Sequence, residues 1–327
     1  MSRSPAGGLF LLFCLLLALR DTFTQILLTG SATNGGARAQ VAPVSMLFVY
    51  CWTAVALAWF FRFVRTGAML PRVRMDRRQA ARFVKLGIAT WGVYAATIWG
   101  IGMVGAPVFN IVDYGAMPIM TMAAATLLVR ERLSLRSYGC GLLGVIGVVL
   151  LLTVEPATSR ELGGVTASWT LGVVLALLSP ILTAYSSALQ KQQVAEGLHP
   201  DEVLLYRFPI PALLMTTWFI ATQPMLTWSQ TAALVLVGAA GLFLPLLLLC
   251  FGFMRASLGQ FASYLFLIPV FTLVMVPAVV VGEWERLMHW QIAVGSLLLL
   301  GSYVTAEVLP RATSTRREQT GADGSRR

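Results

Sequence analysis

Ten stretches of apolar residues divide the chain: 8–29, 43–64, 83–104, 107–129, 135–154, 168–190, 203–222, 231–253, 259–281 and 289–309. Each approaches or exceeds the roughly 20 residues that cross a bilayer as an α-helix. In lipid every backbone polar group must be satisfied within the protein, which a helix does on its own. Hydrophobic residues make up 57% of the 327 and charged residues 12%. That charged share is about half that of a soluble domain and too small to coat a surface in water. The expected fold is therefore all-α and integral to the membrane, with ten transmembrane helices. The run 203–222 is the weakest of the ten, because Pro209 and Pro211 interrupt it. The connections are short and leave no room for a soluble catalytic domain.

The net charge of +10 does not indicate nucleic acid, because the basic residues sit in short loops and in the C-terminal tail. Arg62, Arg65, Arg72, Arg74, Arg77, Arg78, Arg82 and Lys85 cluster after the second run. Arg130, Arg132 and Arg136 follow the fourth, and Arg311, Arg316, Arg317, Arg326 and Arg327 follow the tenth. If ten helices alternate, all of these lie on one side, and the other side has Arg38, Arg160 and Arg286. Positive loops stay in the cytoplasm. Residues 1–7 are then a cytoplasmic N-terminus, 155–167 an external connection, and 310–327 a disordered cytoplasmic tail. The location expected is a cell membrane, a bacterial inner membrane, crossed many times. Ala37-Arg38-Ala39 has the form of a cleavage site, but it lies about 20 residues beyond the apolar segment Leu9 to Leu19, so the first run is read as a retained helix. Cys14, Cys51, Cys140 and Cys250 lie in separate apolar runs and read as small buried residues. His199 and His289 fall in loops and have no partner at metal-ligand spacing. No metal or cofactor is expected.

The chain also matches itself. With a shift of 151 positions Gly87 falls on Gly238, Met103 on Met254, Pro118 on Pro269 and Thr121 on Thr272. With a shift of 152 Glu131 falls on Glu283, and Gly141 and Gly144 fall on Ala293 and Ser296. Residues 8–154 and 168–309 are thus read as two five-helix repeats. Five is odd, so the second copy is inverted in the membrane. Inverted repeats place a ligand site near the midplane, between the halves.

A proline-bearing fourth helix (Pro118), the hairpin Arg130-Glu131-Arg132-Leu133 and a glycine-bearing fifth helix (Gly141, Gly144, Gly147) end the first half. Pro269, Gly282-Glu283 and Ala293/Ser296 end the second. This arrangement resembles the drug/metabolite transporter superfamily, and within it the ten-helix EamA-type branch, over 8–309. The resemblance implies a secondary active transporter, more often an exporter, that moves a small metabolite or drug by alternating access. Two positions depart from the family pattern. The first helix has Arg20-Asp21 and lacks the usual Trp-Gly pair, and Arg130 stands where Gly is usual. Asp21 also resembles the carboxylate midway along the first helix of the small multidrug members.

Charges inside membrane helices are costly and mark function. Arg20, Asp21, Thr24 and Gln25 form one polar face of the first helix. Asn110, Asp113, Tyr114, Met117 and Thr121 form one on the fourth. Counted from the outer helix ends, Asp21 lies about 12 Å deep and Asp113 about 9 Å. Arg20 is therefore placed to pair with either Asp113 or Asp21. Asp21 is the candidate proton-coupling acid and Arg20 the candidate anchor for a ligand carboxylate or phosphate. Further candidate substrate contacts are Trp91 and Tyr94 on the third helix, Ser186 and Gln190 on the sixth, and Gln260 and Tyr264 on the ninth, where Tyr264 falls on Asp113 under the repeat. Arg207 and Glu307 are placed near cytoplasmic helix ends, where they can snorkel. The expected partners are a small-molecule substrate, the lipid bilayer and protons as coupling ion, with the chain as monomer or homodimer. A lipid-headgroup flippase is the alternative on the same fold. A polytopic membrane enzyme fits less well, since there is no paired-aspartate Mg²⁺ motif, His-Glu-x-x-His or serine elbow.

Overall fold

The computed structural model describes residues 5–29, 41–67, 77–104, 106–133, 135–152, 166–222, 224–279 and 290–305. Among them every regular element is helical. The helices are α1 (Pro5–Thr29), α2 (Pro43–Thr66), α3 (Arg77–Val104), α4 (Ala106–Leu127), α5 (Leu135–Leu152), α6 (Thr166–Ala195), α7 (Pro200–Arg207), α8 (Pro209–Thr222) and α9 (Trp228–Gly238). A π-turn, Ala239–Phe243, leads into α10 (Leu244–Phe253), and α11 (Leu258–Tyr264), α12 (Leu267–Val279) and α13 (Trp290–Tyr303) follow. Among the described residues seven stretches are long and apolar enough to cross a membrane, including Pro200–Thr222 and Trp228–Phe253 taken as continuous spans. Three shorter apolar stretches are Ser137–Gly147, Leu258–Thr272 and Val294–Tyr303. The chain is a multi-pass membrane protein. Residues 155–165 of the expected connection, the tail 310–327, and Arg38, Arg160, Arg286, Glu283 and Glu307 lie outside the described residues, and α6 already begins at Thr166.

Helix boundaries follow local chemistry. Proline opens α2, α7 and α8, where its missing N–H is no loss. Gly67 closes α2 at φ 67°, and its N–H returns to Phe63 O at 2.8 Å. Within the spans, threonine hydroxyls donate back to the carbonyl four residues earlier, as Thr22 does to Ala18 and Thr97 to Val93, both at 2.9 Å. Such bonds let a hydroxyl sit in an apolar helix at little cost. Pro209 and Pro211 remove two N–H groups that would have reached the carbonyls of Leu205 and Arg207, and the helix breaks at Phe208. The run that the sequence shortens to 203–222 therefore begins three residues earlier. His199 caps it: its backbone N–H donates to Glu202 Oε2 at 3.2 Å. That histidine has a capping role which the sequence did not suggest. Arg62 and Arg65 at the end of α2 pair with Glu202 at 2.8 Å and Asp201 at 3.0 Å, so they are helix-to-helix ties and not free loop charges.

Long contacts run between α3 and α6 and between α4 and α6; α1 packs on α10 and α12; α2 packs on α8, and α5 on α13. Glycine makes the tightest of these possible. A methyl group on Gly144 would lie 2.0 Å from the Phe266 ring, and one on Gly147 would lie 2.9 Å from the Gly295 carbonyl oxygen. Trp59, Trp169 and Trp228 are exposed near helix ends, where interfacial anchors belong. The four cysteines are buried thiols.

Two charged side chains fix the link between α10 and α11. Glu131 Oε1 and Oε2 accept the N–H groups of Leu258 and Gly259, each at 2.9 Å, and so cap α11 from the hairpin after α4. Lys191 Nζ donates to Phe253 O at 2.6 Å and Ala256 O at 2.7 Å, covering the carbonyl end of α10. Arg130, next to Glu131, holds φ 61°, the left-handed conformation that glycine adopts without strain.

Candidate functional site

α1, α3, α4, α6, α7, α10 and α11 converge on a cavity lined by Arg20, Tyr94, Asp113, Tyr114, Ser186 and Arg207, with Phe13, Leu249 and Phe261 among its apolar walls. The space open to water is about 40 Å³, enough for a few water molecules.

One end is a closed polar triad. Arg20 is 7% exposed and Asp21 fully buried. Arg20 Nε donates to Asp21 Oδ1 at 2.7 Å, and Arg20 Nη2 lies 2.6 Å from the same oxygen. Tyr114 Oη donates to Asp21 Oδ2 at 2.7 Å and accepts from Arg20 Nη2 at 3.2 Å. The guanidinium carbon stands 5.8 Å from the centre of the Tyr94 ring. The base of Arg20 fits because Gly241, in the π-turn, has no side chain: a methyl there would lie 2.7 Å from Arg20 Cβ. π-turns often mark functional positions.

Asp113 does not pair with Arg20, although their depths match. Neighbouring residues on a helix point about 100° apart. Tyr114 therefore faces α1 while Asp113 turns to the cavity wall. Asp113 is 2% exposed, and its Oδ1 has no hydrogen-bond partner. Of the two pairings open to Arg20 the structure has the one within α1, and Tyr114 ties it to α4.

The other end is built around Arg207. The sequence places it near a helix end, free to snorkel. The structure buries it to 3% exposure inside the bundle. α7 starts at Pro200 and turns Arg207 inward just before the break at Phe208. Arg207 Nε donates to Thr90 Oγ1 at 2.8 Å, Nη1 donates to Gln190 Oε1, and Nη2 lies 3.5 Å from Ser186 Oγ. Gln190 in turn donates to Cys250 Sγ. Thr90, Arg207 and Cys250 are the members of this cluster that sequence reasoning missed. The signal available was the paired prolines, since broken membrane helices tend to line binding sites.

The remaining candidates scatter. Thr24 and Asn110 are buried a turn from Arg20 and Asp113, and both side-chain atoms of Asn110 lack partners. Gln25, next to Thr24, is half-buried. Trp91 points away from the cavity and donates to Met215 Sδ at 3.3 Å. Tyr264 packs on Phe10 and Tyr303 and has no place in the cavity wall. Gln260 lines a separate groove with Glu131, Lys191 and Arg255.

No family model matches the chain, and no curated protein matches it. Among solved structures 29 chains match. One, described only as a crystal structure of a protein, superimposes with a TM-score of 0.70 over 95% of this chain and 99% of that one, at 17% identity. At that identity the likeness is one of fold alone.

Proposed function

We propose that this chain is a secondary active transporter of the drug/metabolite transporter superfamily, in its ten-helix EamA-type branch. It exports a small metabolite or drug across a bacterial inner membrane by alternating access, coupled to protons. The supporting observation is the cavity: two arginines and a carboxylate facing a nearly closed space, contributed by both halves of an apolar bundle. Intramembrane charges that meet in a cavity mark solute pathways. A cavity of this size takes a solute only when the halves separate.

Support for two inverted repeats comes from the packing. Exchanging each helix for the one five spans away turns the α3–α6 contact into α10–α1, α4–α6 into α12–α1, and α4–α5 into α12–α13. The α5–α13 and α2–α8 contacts map onto themselves. Ten spans follow when the three shorter apolar helices are counted with the seven long ones. The basic loops then put both termini in the cytoplasm.

The coupling proton is assigned to Asp113 in preference to Asp21. Both oxygens of Asp21 are engaged by Arg20 and Tyr114. Asp113 faces the cavity with one oxygen free. The test is solute-dependent proton flux in proteoliposomes under an imposed pH gradient, with a panel of labelled metabolites and drugs. Asp113→Asn should retain solute exchange but lose the drive from the gradient. Full gradient-driven flux in that variant would sink the assignment.

A further inference from the structure

We infer that the solute carries an anionic group, a carboxylate or a phosphate, and that Arg207 is the residue that holds it. This rests on the transporter reading for the solute's passage, but not for its binding. Arg20 is neutralised by Asp21, and Arg62 by Glu202. Arg207 is as deeply buried as either, yet among the described residues no carboxylate lies within ion-pair distance of it. Its partners, Thr90, Gln190 and Ser186, are all neutral.

The nearest acids among the described residues are otherwise placed: Asp201 pairs with Arg65, and Asp113 lines the same cavity but makes no ion pair with Arg207. The carbonyl end of α7 carries a partial negative charge, but the positive end of α8 follows at once at Pro209. A cation buried in apolar surroundings without a counter-charge is costly. It is retained where a ligand supplies the missing charge.

The geometry suits such a ligand. A guanidinium has five N–H donors in a planar fork, and the three neutral partners take at most three of them. Two are left for a carboxylate or phosphate, which Arg binds in bidentate fashion. Arg207 lines the cavity, and Phe13, Leu249 and Phe261 offer an apolar wall for the body of the solute. The matching chemical class is a small organic anion with an apolar portion.

The test is a titration of the purified full chain, by thermal shift and calorimetry, with benzoate, phenyl phosphate, benzamide and benzylamine. At least one of the two anions should bind saturably, and the amide and the amine should not. Arg207→Gln should weaken anion binding by about tenfold to a hundredfold, the loss expected for a charge-assisted hydrogen-bonded pair. Arg207→Lys keeps the charge but loses the fork, so it should fall between the two; it carries the test if Arg207→Gln does not accumulate. Unchanged anion binding in these variants, preference for benzylamine, or no saturable binding of either anion would overturn the assignment. Dihexanoyl phosphatidic acid provides a further arm. Binding of this lipid through Arg207, without binding of phenyl phosphate, would identify a lipid headgroup as the source of the anion. Counterflow of labelled benzoate in proteoliposomes separates the two proposals. Binding without movement keeps the anion site and removes the transporter. Movement of only neutral or cationic solutes removes the anion site and keeps the transporter.

Discussion

The two ends of the cavity each bury an arginine, and they solve the resulting problem differently. At one end Arg20 has an acid beside it in the chain, and Tyr114 completes a set in which charge and hydrogen bonds are both accounted for. At the other, Arg207 has hydrogen bonds but, among the described residues, no carboxylate paired with it. The first end is finished without a ligand, and the second is not. A buried charge therefore does not indicate function by itself. What matters is whether the protein neutralises it.

The comparison breaks most directly at Asp21. Asp21→Leu strands Arg20, and breaking a buried pair in this way costs about 3–5 kcal/mol. The variant should lose thermal stability in detergent, and Arg20→Met with Asp21→Leu should regain part of the loss. If Asp21→Leu unfolds at the same temperature as the unaltered chain, the triad is not a closed structural unit. The contrast sharpens when Arg207→Gln is measured beside it: removing a cation that has no counter-charge should cost far less than stranding one.

A smaller effect is expected at Gly241. Gly241→Val drives a side chain into the base of Arg20, where even a methyl would be 2.7 Å from Cβ. Overpacking of this kind costs roughly 1–3 kcal/mol. The thermal midpoint should fall, while anion binding at Arg207 should be preserved. Loss of both together would show that the two ends are coupled.

The smallest effect lies outside the cavity. Arg130 is exposed and holds φ 61°, a conformation that costs a residue with a Cβ about 1–2 kcal/mol. Arg130→Gly relieves that strain but adds freedom to the unfolded chain. It should raise stability by up to about 1 kcal/mol and leave both ends of the cavity as they are. A destabilised Arg130→Gly would show that the arginine side chain makes a contact worth more than the strain.

The apolar helices were legible in the sequence, because bilayer thickness dictates their length and composition. So were the packing glycines of α5 and the gathering of Arg20, Asp21, Asp113 and Tyr114. Each of these depends on position along a helix, which residue counting supplies. Counting does not supply rotation about the helix axis relative to neighbours, and so it left the partner of Arg20 open between Asp113 and Asp21. Asp113 and Tyr114 are adjacent, yet only Tyr114 reaches Arg20. Trp91 and Tyr94 share a helix face in the sequence, but Trp91 meets α8 and Tyr94 the cavity. Arg207 was misjudged for another reason. Its depth was counted from an apolar run, whereas the helix itself starts at Pro200 with the polar turn that Arg62 and Arg65 neutralise.

The link between α10 and α11 has a mechanical consequence. Four backbone groups on its two flanks are bonded to side chains from elsewhere in the fold: Leu258 and Gly259 to Glu131 in the α4 hairpin, Phe253 and Ala256 to Lys191 on α6. A displacement that pulls the α4 hairpin or the end of α6 away from this link must rupture all the bonds on that flank together. Carrying the link along ruptures none. The hairpin, the end of α6 and the link therefore travel as a single lever, and the compliance of the molecule falls to the helix break at Phe208 and the π-turn at Ala239–Phe243, one beside Arg207 and the other against Arg20.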